Sequence, residues 1–296
     1  MLNSMFSKLL PVGSRRRQAF KKILIWNSET PTSFEKSVLR AAEVDLCKRI
    51  TSVEKDALAK LKDRYKGQRC FIIGNGPSLN DCDLSLLRDE YTFGVNGIFY
   101  KTDELGFTPS FYIVEDVHVV DDNLDRINDY EAQLKFFPSI YKDRITKTPN
   151  THFFSVDLGF YRKSSKSYCR PRFSYDFSKV AFAGQSVTFI NLQLAYYLGF
   201  EEVYLIGMDF SYEIPKSAIV RGRSIESTHD DPNHFHPDYF GKGKKWHDPL
   251  LDRVALNYEL AKKVYEENDR QIFNATHKGA LEIFDRVDFK SLFENT

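Results

Sequence analysis

Short apolar runs that stop at a glycine or an acidic pair alternate along this chain with longer stretches of helical period. Cys70-Phe71-Ile72-Ile73, closed by Gly74, predicts a buried strand. Residues 91–96, 111–114 and 152–156 predict three more, the run at 111–114 giving way to Glu115-Asp116. Residues 186–198 are apolar almost all round, which predicts a buried helix with Ser186 as N-cap and Gly199 as its stop. Val203-Tyr204-Leu205-Ile206 follows at once as another buried strand and ends at Gly207. Residues 250–268 have the period of an amphipathic helix, and Gln271-Ile272-Phe273-Asn274 predicts a last strand. Residues 34–66 predict one or two helices ahead of all this.

Strand and helix alternating at these spacings predict an α/β fold: a Rossmann-like, mostly parallel sheet with helices on both faces. The expected organisation is an N-terminal helical extension over residues 1–66 and a nucleotide-binding catalytic domain over residues 67–296. In such sheets ligands bind outside the carboxyl ends of the strands, so the segments just after each strand are where chemistry is sought. Residues 211–249 are polar and rich in Gly, Pro, His and Asp, which predicts a long lid loop.

Composition narrows the function classes. Of 296 residues, 42% are apolar and 28% charged, ordinary for a globular chain with a sizeable core. The 25 Phe and 16 Tyr suit a large aromatic core or surfaces on which sugars and bases stack. A net charge of +1 argues against a nucleic-acid partner. Cys47, Cys70, Cys82 and Cys169 have no C-x-x-C spacing and read as reduced thiols of a cytoplasmic protein. No apolar run reaches the eighteen residues or so that a membrane span needs. Residues 1–26 nevertheless mix apolar side chains with Lys8, Arg15, Arg16, Arg17, Lys21 and Lys22. That pattern fits either a peripheral contact with the anionic inner membrane or a helix packed on the domain or on a second subunit of a homo-oligomer.

The strongest motif is Gly74-Asn75-Gly76-Pro77-Ser78, a strand followed by a glycine turn and a polar helix start. Glycines let a backbone approach a ligand closely, and a helix N-terminus offers free amides to phosphate. Ser78 and Asp81 have capping-box spacing. The alternative is a tight turn with no ligand. Asn96 ends the second strand and can donate to and accept from a base or sugar edge. Glu115 and Asp116 after the third strand, with Asp209 after Met208, can hold Mg²⁺ or act as a base, or simply begin a helix. The polar loop holds His229, His234, His236 and His247, of which the last three are general acid/base candidates, and Lys242, suited to neutralising a departing diphosphate.

The segments Phe71-Ile72-Ile73-Gly74-Asn75-Gly76-Pro77-Ser78-Leu79, Phe93-Gly94-Val95-Asn96-Gly97-Ile98-Phe99-Tyr100 and Leu198-Gly199-Phe200-Glu201-Glu202-Val203-Tyr204-Leu205-Ile206-Gly207-Met208-Asp209-Phe210 resemble the bacterial sialyltransferases of the Campylobacter type. They resemble more closely a bacterial group named after archaeal 6-hydroxymethylpterin pyrophosphokinases (MptE-like), for which Asp231-Pro232-Asn233-His234-Phe235-His236-Pro237-Asp238-Tyr239-Phe240-Gly241-Lys242-Gly243 is typical. The sialyltransferase likeness implies transfer of a nonulosonic sugar from a CMP donor, with no metal required, to a glycan or lipid-linked acceptor of the cell surface. It implies that Asn75, Gly76 and Asn96 hold the nucleotide, that Ser186 approaches the donor sugar, and that Tyr212 and Tyr239 bind the departing phosphate. That family's base is a His three residues after the lid tyrosine, where this chain has Lys242. The family's asparagine after the third strand is replaced here by Glu115 and Asp116, which suit a Mg²⁺-assisted pyrophosphokinase acting on a pterin-like alcohol. The expectation is a glycosyltransferase-like enzyme. Pyrophosphoryl transfer with Mg²⁺ and a non-catalytic nucleotide- or glycan-binding role are the alternatives.

Overall fold

The computed structural model describes residues 50–101, 106–221 and 224–294. The basic segment at residues 1–26 and most of the expected N-terminal extension lie outside the described residues. Helix α1 (Ser52–Ala59) opens the described chain, held by a capping box in which Thr51 and Glu54 exchange side-chain-to-backbone bonds. Leu58 and Leu61 are buried, and Tyr65 stacks on Phe200 at 5.0 Å and meets Phe111 edge-on, so residues 50–66 share the core of the main sheet.

That sheet has eight strands: β1 (Arg69–Ile73), β2 (Thr92–Val95), β3 (Phe111–Ile113), β4 (Leu134–Pro138), β5 (Thr151–Phe154), β8 (Glu202–Ile206), β12 (Gln271–Asn274) and β13 (Asp285–Arg286). Their order is β13-β12-β8-β1-β2-β3-β4-β5, and every pairing is parallel. The chain builds outward from β1 to β5, then returns to lay β8 on the other side of β1. The topological switch point therefore lies between β1 and β8. A second pair of short strands, β6 (Val156–Asp157) and β7 (Ala181–Phe182), leads into helix α3 (Val187–Leu198).

Helices cover both faces, as the sequence pattern predicts. Residues alternate across a strand, and Phe111 packs with Tyr65 and Phe200 while its neighbour Tyr112 packs with Tyr130, at the end of helix α2 (Val117–Asp129). Helix α3 is capped by Ser186, whose side chain accepts from Thr188 N, and is stopped by Gly199 in the left-handed conformation. Its buried polar Gln193 is satisfied on both sides: Oε1 accepts from Ser174 N and Phe182 N, and Nε2 donates to Phe182 O and Phe189 O. Helix α4 (Leu251–Glu266) packs on α3 through Tyr265, whose hydroxyl donates to Leu192 O.

Three expectations need correction. The turn after β1 leads not into an α-helix but into a single 3-10 turn, Pro77–Asp81, with no side-chain cap. Ser78 is drawn to Asp209, and Asp81 pairs with Lys278 at 2.9 Å, so no capping box forms. The lid is not an unstructured loop: β9 (Ile219–Arg221), β10 (Ser224–Glu226) and β11 (Lys245–His247) form an antiparallel sheet with Ile225 and Trp246 buried beneath it. Strand β4 escaped the pattern altogether, and helix α2 bears out the helix start that is one of the readings of Glu115-Asp116. Lys135 interrupts the apolar run of β4, yet it is buried because its ammonium donates to the carbonyls of Ile127, Asn128 and Tyr130 at the end of α2. Cys70, Cys82 and Cys169 are unbridged.

Candidate functional site

A cavity of about 510 Å³ opens at the carboxyl ends of the central strands. Its floor is the switch point. Gly74 N donates to Ile206 O and Gly76 N to Gly207 O, which clamps the turn after β1 onto the turn after β8. The approach is so close that a Cβ on Gly74 would lie 2.5 Å from Gly207 O, and one on Gly76 would lie 1.8 Å from Asp209 Oδ2. Only glycine fits at either position. The Asp209 carboxylate reaches across this turn and accepts from Ser78 N (3.2 Å) and Ser78 Oγ (2.8 Å). The amide of Ser78 is thus already engaged by a protein carboxylate, and the five-residue 3-10 turn supplies little helix dipole.

The walls come from the next strand ends. Asn96, after β2, has φ +45°, with its carbonyl accepting from Tyr112 Oη and its Oδ1 from Glu115 N. The side-chain group it keeps for a ligand is therefore the NH₂ donor. Glu115 and Asp116 follow β3. Burial pushes the Glu115 carboxyl up to about 7, with the neighbouring Asp116 charge adding to the shift and the Tyr161 hydroxyl opposing it. Burial also works against the Asp116 charge, but His247 and the His118 amide outweigh it and hold Asp116 below the usual carboxylate range. Asp116 is the N-cap of α2. Opposite, Gln185 (φ +69°), Ser186 and Phe210 (φ +54°) line the cavity, and Ser186 Oγ lies 3.1 Å from Tyr258 Oη. Left-handed backbone at non-glycine residues costs on the order of 1–3 kcal/mol each, and Asn96, Gln185 and Phe210 all carry it around this one cavity.

The lid forms the roof with Tyr212, His234, Tyr239, Trp246 and His247. It is tied down by backbone as well as side chains, since Phe235 N donates to Asn75 O at 2.9 Å. Tyr239 Oη accepts from Asn75 Nδ2 (2.9 Å) and from Gly97 N (3.2 Å). His234 stacks on the Tyr239 ring with centroids 4.0 Å apart and planes 3° from parallel. Its Nδ1 meets Asp231 Oδ2 at 2.6 Å, and its Nε2 meets Tyr212 Oη at 3.1 Å. Burial raises both phenols, Tyr212 and Tyr239, above the ordinary tyrosine range, so both stay protonated at neutral pH.

The residues singled out in the sequence separate cleanly. Gly74, Asn75, Gly76, Asn96, Ser186, Asp209, Tyr212, His234, Tyr239, His247, Glu115 and Asp116 all line this one cavity. Pro77, Ser78, His236 and Lys242 do not. Pro77 is exposed and Ser78 is turned away onto Asp209. His236 stacks on Tyr100 and accepts from Asp238 N, and Lys242 is exposed. Tyr161, Gln185, Asn233, Trp246 and Tyr258 line the cavity without having been picked out. Gln185 stood directly before the N-cap serine, and Asn233 within the segment typical of the MptE-like group. Among the described residues no cluster of three or more His, Cys, Asp or Glu side chains has the arrangement of a metal site, and no helix is long and apolar enough to cross a membrane.

A parallel sheet with a roofed crevice at its switch point places the chain among the Rossmann-like α/β proteins. More narrowly, residues 45–215 match the 6-hydroxymethylpterin diphosphokinase MptE-like family, and the chain belongs to that family. No curated protein matches it in sequence. Among solved structures, the MAf glycosyltransferase from Magnetospirillum magneticum AMB-1 aligns over 88% of this chain with a TM-score of 0.43 and 14% identity. The chain spans 42% of that protein's length. The sialyltransferase CstII from Campylobacter jejuni, solved in complex with a substrate analogue, cytidine-5'-monophosphate, aligns over 75% of this chain and 85% of its own, with a TM-score of 0.42 and 17% identity.

Proposed function

We propose that the protein is a glycosyltransferase-like enzyme that moves a sugar from a nucleotide-activated donor to a hydroxyl of a cell-surface glycan or lipid-linked acceptor, a CMP-linked nonulosonic acid being the favoured donor and no metal being required. The observation that carries this reading is the Tyr239 hydroxyl. It accepts from Asn75 Nδ2 and Gly97 N, so both of its lone pairs are used and its own proton is left to donate. It stands beside the glycine turn of the switch point, where the phosphate of a nucleotide bound by Asn75 and Asn96 would lie. A preorganised donor aimed at a leaving phosphate is worth most inside a crevice closed to water. The acceptor would be met at the inner face of the membrane, to which residues 1–26 would bring the enzyme.

The family's description favours a second reading, Mg²⁺-dependent pyrophosphoryl transfer, with Glu115 and Asp116 as the only adjacent carboxylates on the cavity wall. The donor set fits it poorly. Glu115 holds its proton up to about pH 7, and Asp116 would have to release the His118 amide and His247 before it could ligate a cation.

Thermal-shift measurements with CMP, CDP and ATP, each with and without Mg²⁺, separate the readings, because a ligand that binds only the native state raises the melting temperature. A rise with CMP or CDP in the absence of metal is the expected result. A response to ATP that needs Mg²⁺ would replace glycosyl transfer with the pyrophosphokinase. A flat panel would overturn both and leave the residue 74–78 turn structural.

A further inference from the structure

We infer that Asp231, His234 and Tyr212 form a proton relay through which the lid deprotonates the acceptor hydroxyl, with His234 as the base and Asp231 as the residue that positions it. This rests on the glycosyl-transfer reading, and it moves Tyr212 from holding the leaving phosphate to serving the attacking group.

The argument starts from Asp231. Its side chain is only 3% exposed, yet it is saturated with donors: Oδ1 accepts from Asn233 N (2.8 Å), and Oδ2 from Phe240 N (2.9 Å) and from His234 Nδ1 (2.6 Å). Burial opposes the charge, but these partners hold the carboxyl below the usual range, so at neutral pH it is an acceptor only. An acceptor at Nδ1 fixes the tautomer of a neutral imidazole, because the proton must sit on Nδ1 and the lone pair on Nε2. That lone pair faces Tyr212 Oη at 3.1 Å. The tyrosine therefore donates its proton to His234 and cannot also donate to a phosphate while His234 is neutral. What Tyr212 offers the cavity is a lone pair, which accepts from an alcohol.

The ring is also held in orientation. His234 is 7% exposed, lies flat on Tyr239 and meets Phe240 edge-on, so it cannot swing off the axis set by Asp231. As the acceptor oxygen forms its bond to the anomeric carbon, the bond from that carbon to the donor phosphate breaks and its electron pair leaves with the nucleotide. The acceptor proton passes to Tyr212 Oη, and the Tyr212 proton passes to His234 Nε2. The imidazolium so formed lies against the Asp231 carboxylate, which favours its charge. The histidine that the sialyltransferase likeness expects, at the position of Lys242, is thus supplied from eight residues earlier in the chain.

The test pairs a measurement that needs no substrate with one that does. In ¹⁵N-labelled protein, two-dimensional imidazole spectra are expected to show His234 as the Nδ1–H tautomer, and Asp231→Asn to shift it toward Nε2–H. A wild-type His234 protonated on Nε2 and bare on Nδ1 would overturn the relay. In a transfer assay Asp231→Asn should lower kcat by roughly 100-fold or more, the scale of general-base catalysis. It should leave the donor KM within about threefold. Tyr212→Phe should lower kcat with donor KM unchanged. A raised donor KM with intact kcat would return Tyr212 to phosphate binding and refute the relay. Should Asp231→Asn fail to fold, His234→Gln, which leaves the amide contacts of Asp231 in place, carries the same kinetic test. If no nucleotide sugar is consumed at all, the functional reading falls, and the tautomer alone still decides whether the relay geometry exists.

Discussion

The sheet body and the lid over residues 211–249 are built on different principles, although they meet in one cavity. In the body, β1 and β8 are flanked by strands on both sides and covered on both faces. Cys70, Phe71, Ile72 and Ile73 are fully buried, as are Leu205 and Ile206. Helix α3 buries nearly every residue it has. This is non-directional burial at about 25 cal/mol per Å² of apolar surface, and many substitutions of similar volume would serve. The lid buries a smaller apolar group, Ile225, Phe235, Tyr239, Phe240 and Trp246, and exposes Ile214, Ile219 and Val220. Directional contacts fix it as well: Asp231 with its three donors, Asn233 between Glu213 N and O, Trp246 Nε1 on Ser227, and Lys244 on Tyr100. The body is robust and permissive, whereas the lid is specific and loses its order when one polar partner goes.

The two can be broken separately. The largest loss is expected from the body: Leu192→Ala in α3, at a site with no solvent exposure, should cost about 2–5 kcal/mol of global stability by urea denaturation. Nucleotide binding below the new transition should persist. A cost under about 1 kcal/mol would mean that α3 is not the body's central support.

The seam between the regions gives a pH-dependent effect. Glu115 keeps its proton to about 7 in the fold against an ordinary 4.5, so between those values the native state binds more protons than the unfolded chain and stability falls as pH rises. Glu115→Gln abolishes that slope. The variant's melting temperature should gain on the wild type from pH 5 to pH 8, by at most about 3 kcal/mol in stability. A gap that does not change with pH would show that Glu115 is already ionised in the fold.

The lid gives the smallest global effect and the most local one. Tyr239→Phe removes the acceptor of Gly97 N and one acceptor of Asn75 Nδ2 while keeping the ring under His234. Its cost should be about 1–3 kcal/mol. Hydrogen exchange should show the loosening in residues 229–247, with β1 and α3 still protected. Uniformly faster exchange would contradict a division between body and lid.

The same division decides what could be read without a structure. The strands at 70–73, 111–113 and 203–206 and the helix from Val187 announce themselves because burial imposes a period or an unbroken apolar run. Strand β4 is hidden because Lys135 sits at its second residue, and what excuses a buried lysine is three carbonyls at the end of α2 that only the fold brings together. Asn75, Asn96, Ser186 and Asp209 were legible as candidate site residues because they follow strands or cap a helix, where a parallel sheet presents its ligand edge, and His234 as an imidazole in a polar loop. Lys242 and His236 were plausible from residue type alone, and the path of the chain turns them away. Asp231 opens the segment typical of the MptE-like group, but nothing in the sequence marked it as the partner of His234. Its role is defined by the three donors folded around it, contacts that leave no periodic trace.

The bond from Phe235 N to Asn75 O joins the lid's own backbone to the loop under the cavity. Any lid displacement wide enough to admit a ligand next to Asn75 has to break that contact and remake it on closing. Entry and exit then share one barrier, set by the protein rather than by diffusion. Ligand association should be slower than a simple encounter allows, and under the proposed glycosyl transfer the opening that releases product would time turnover.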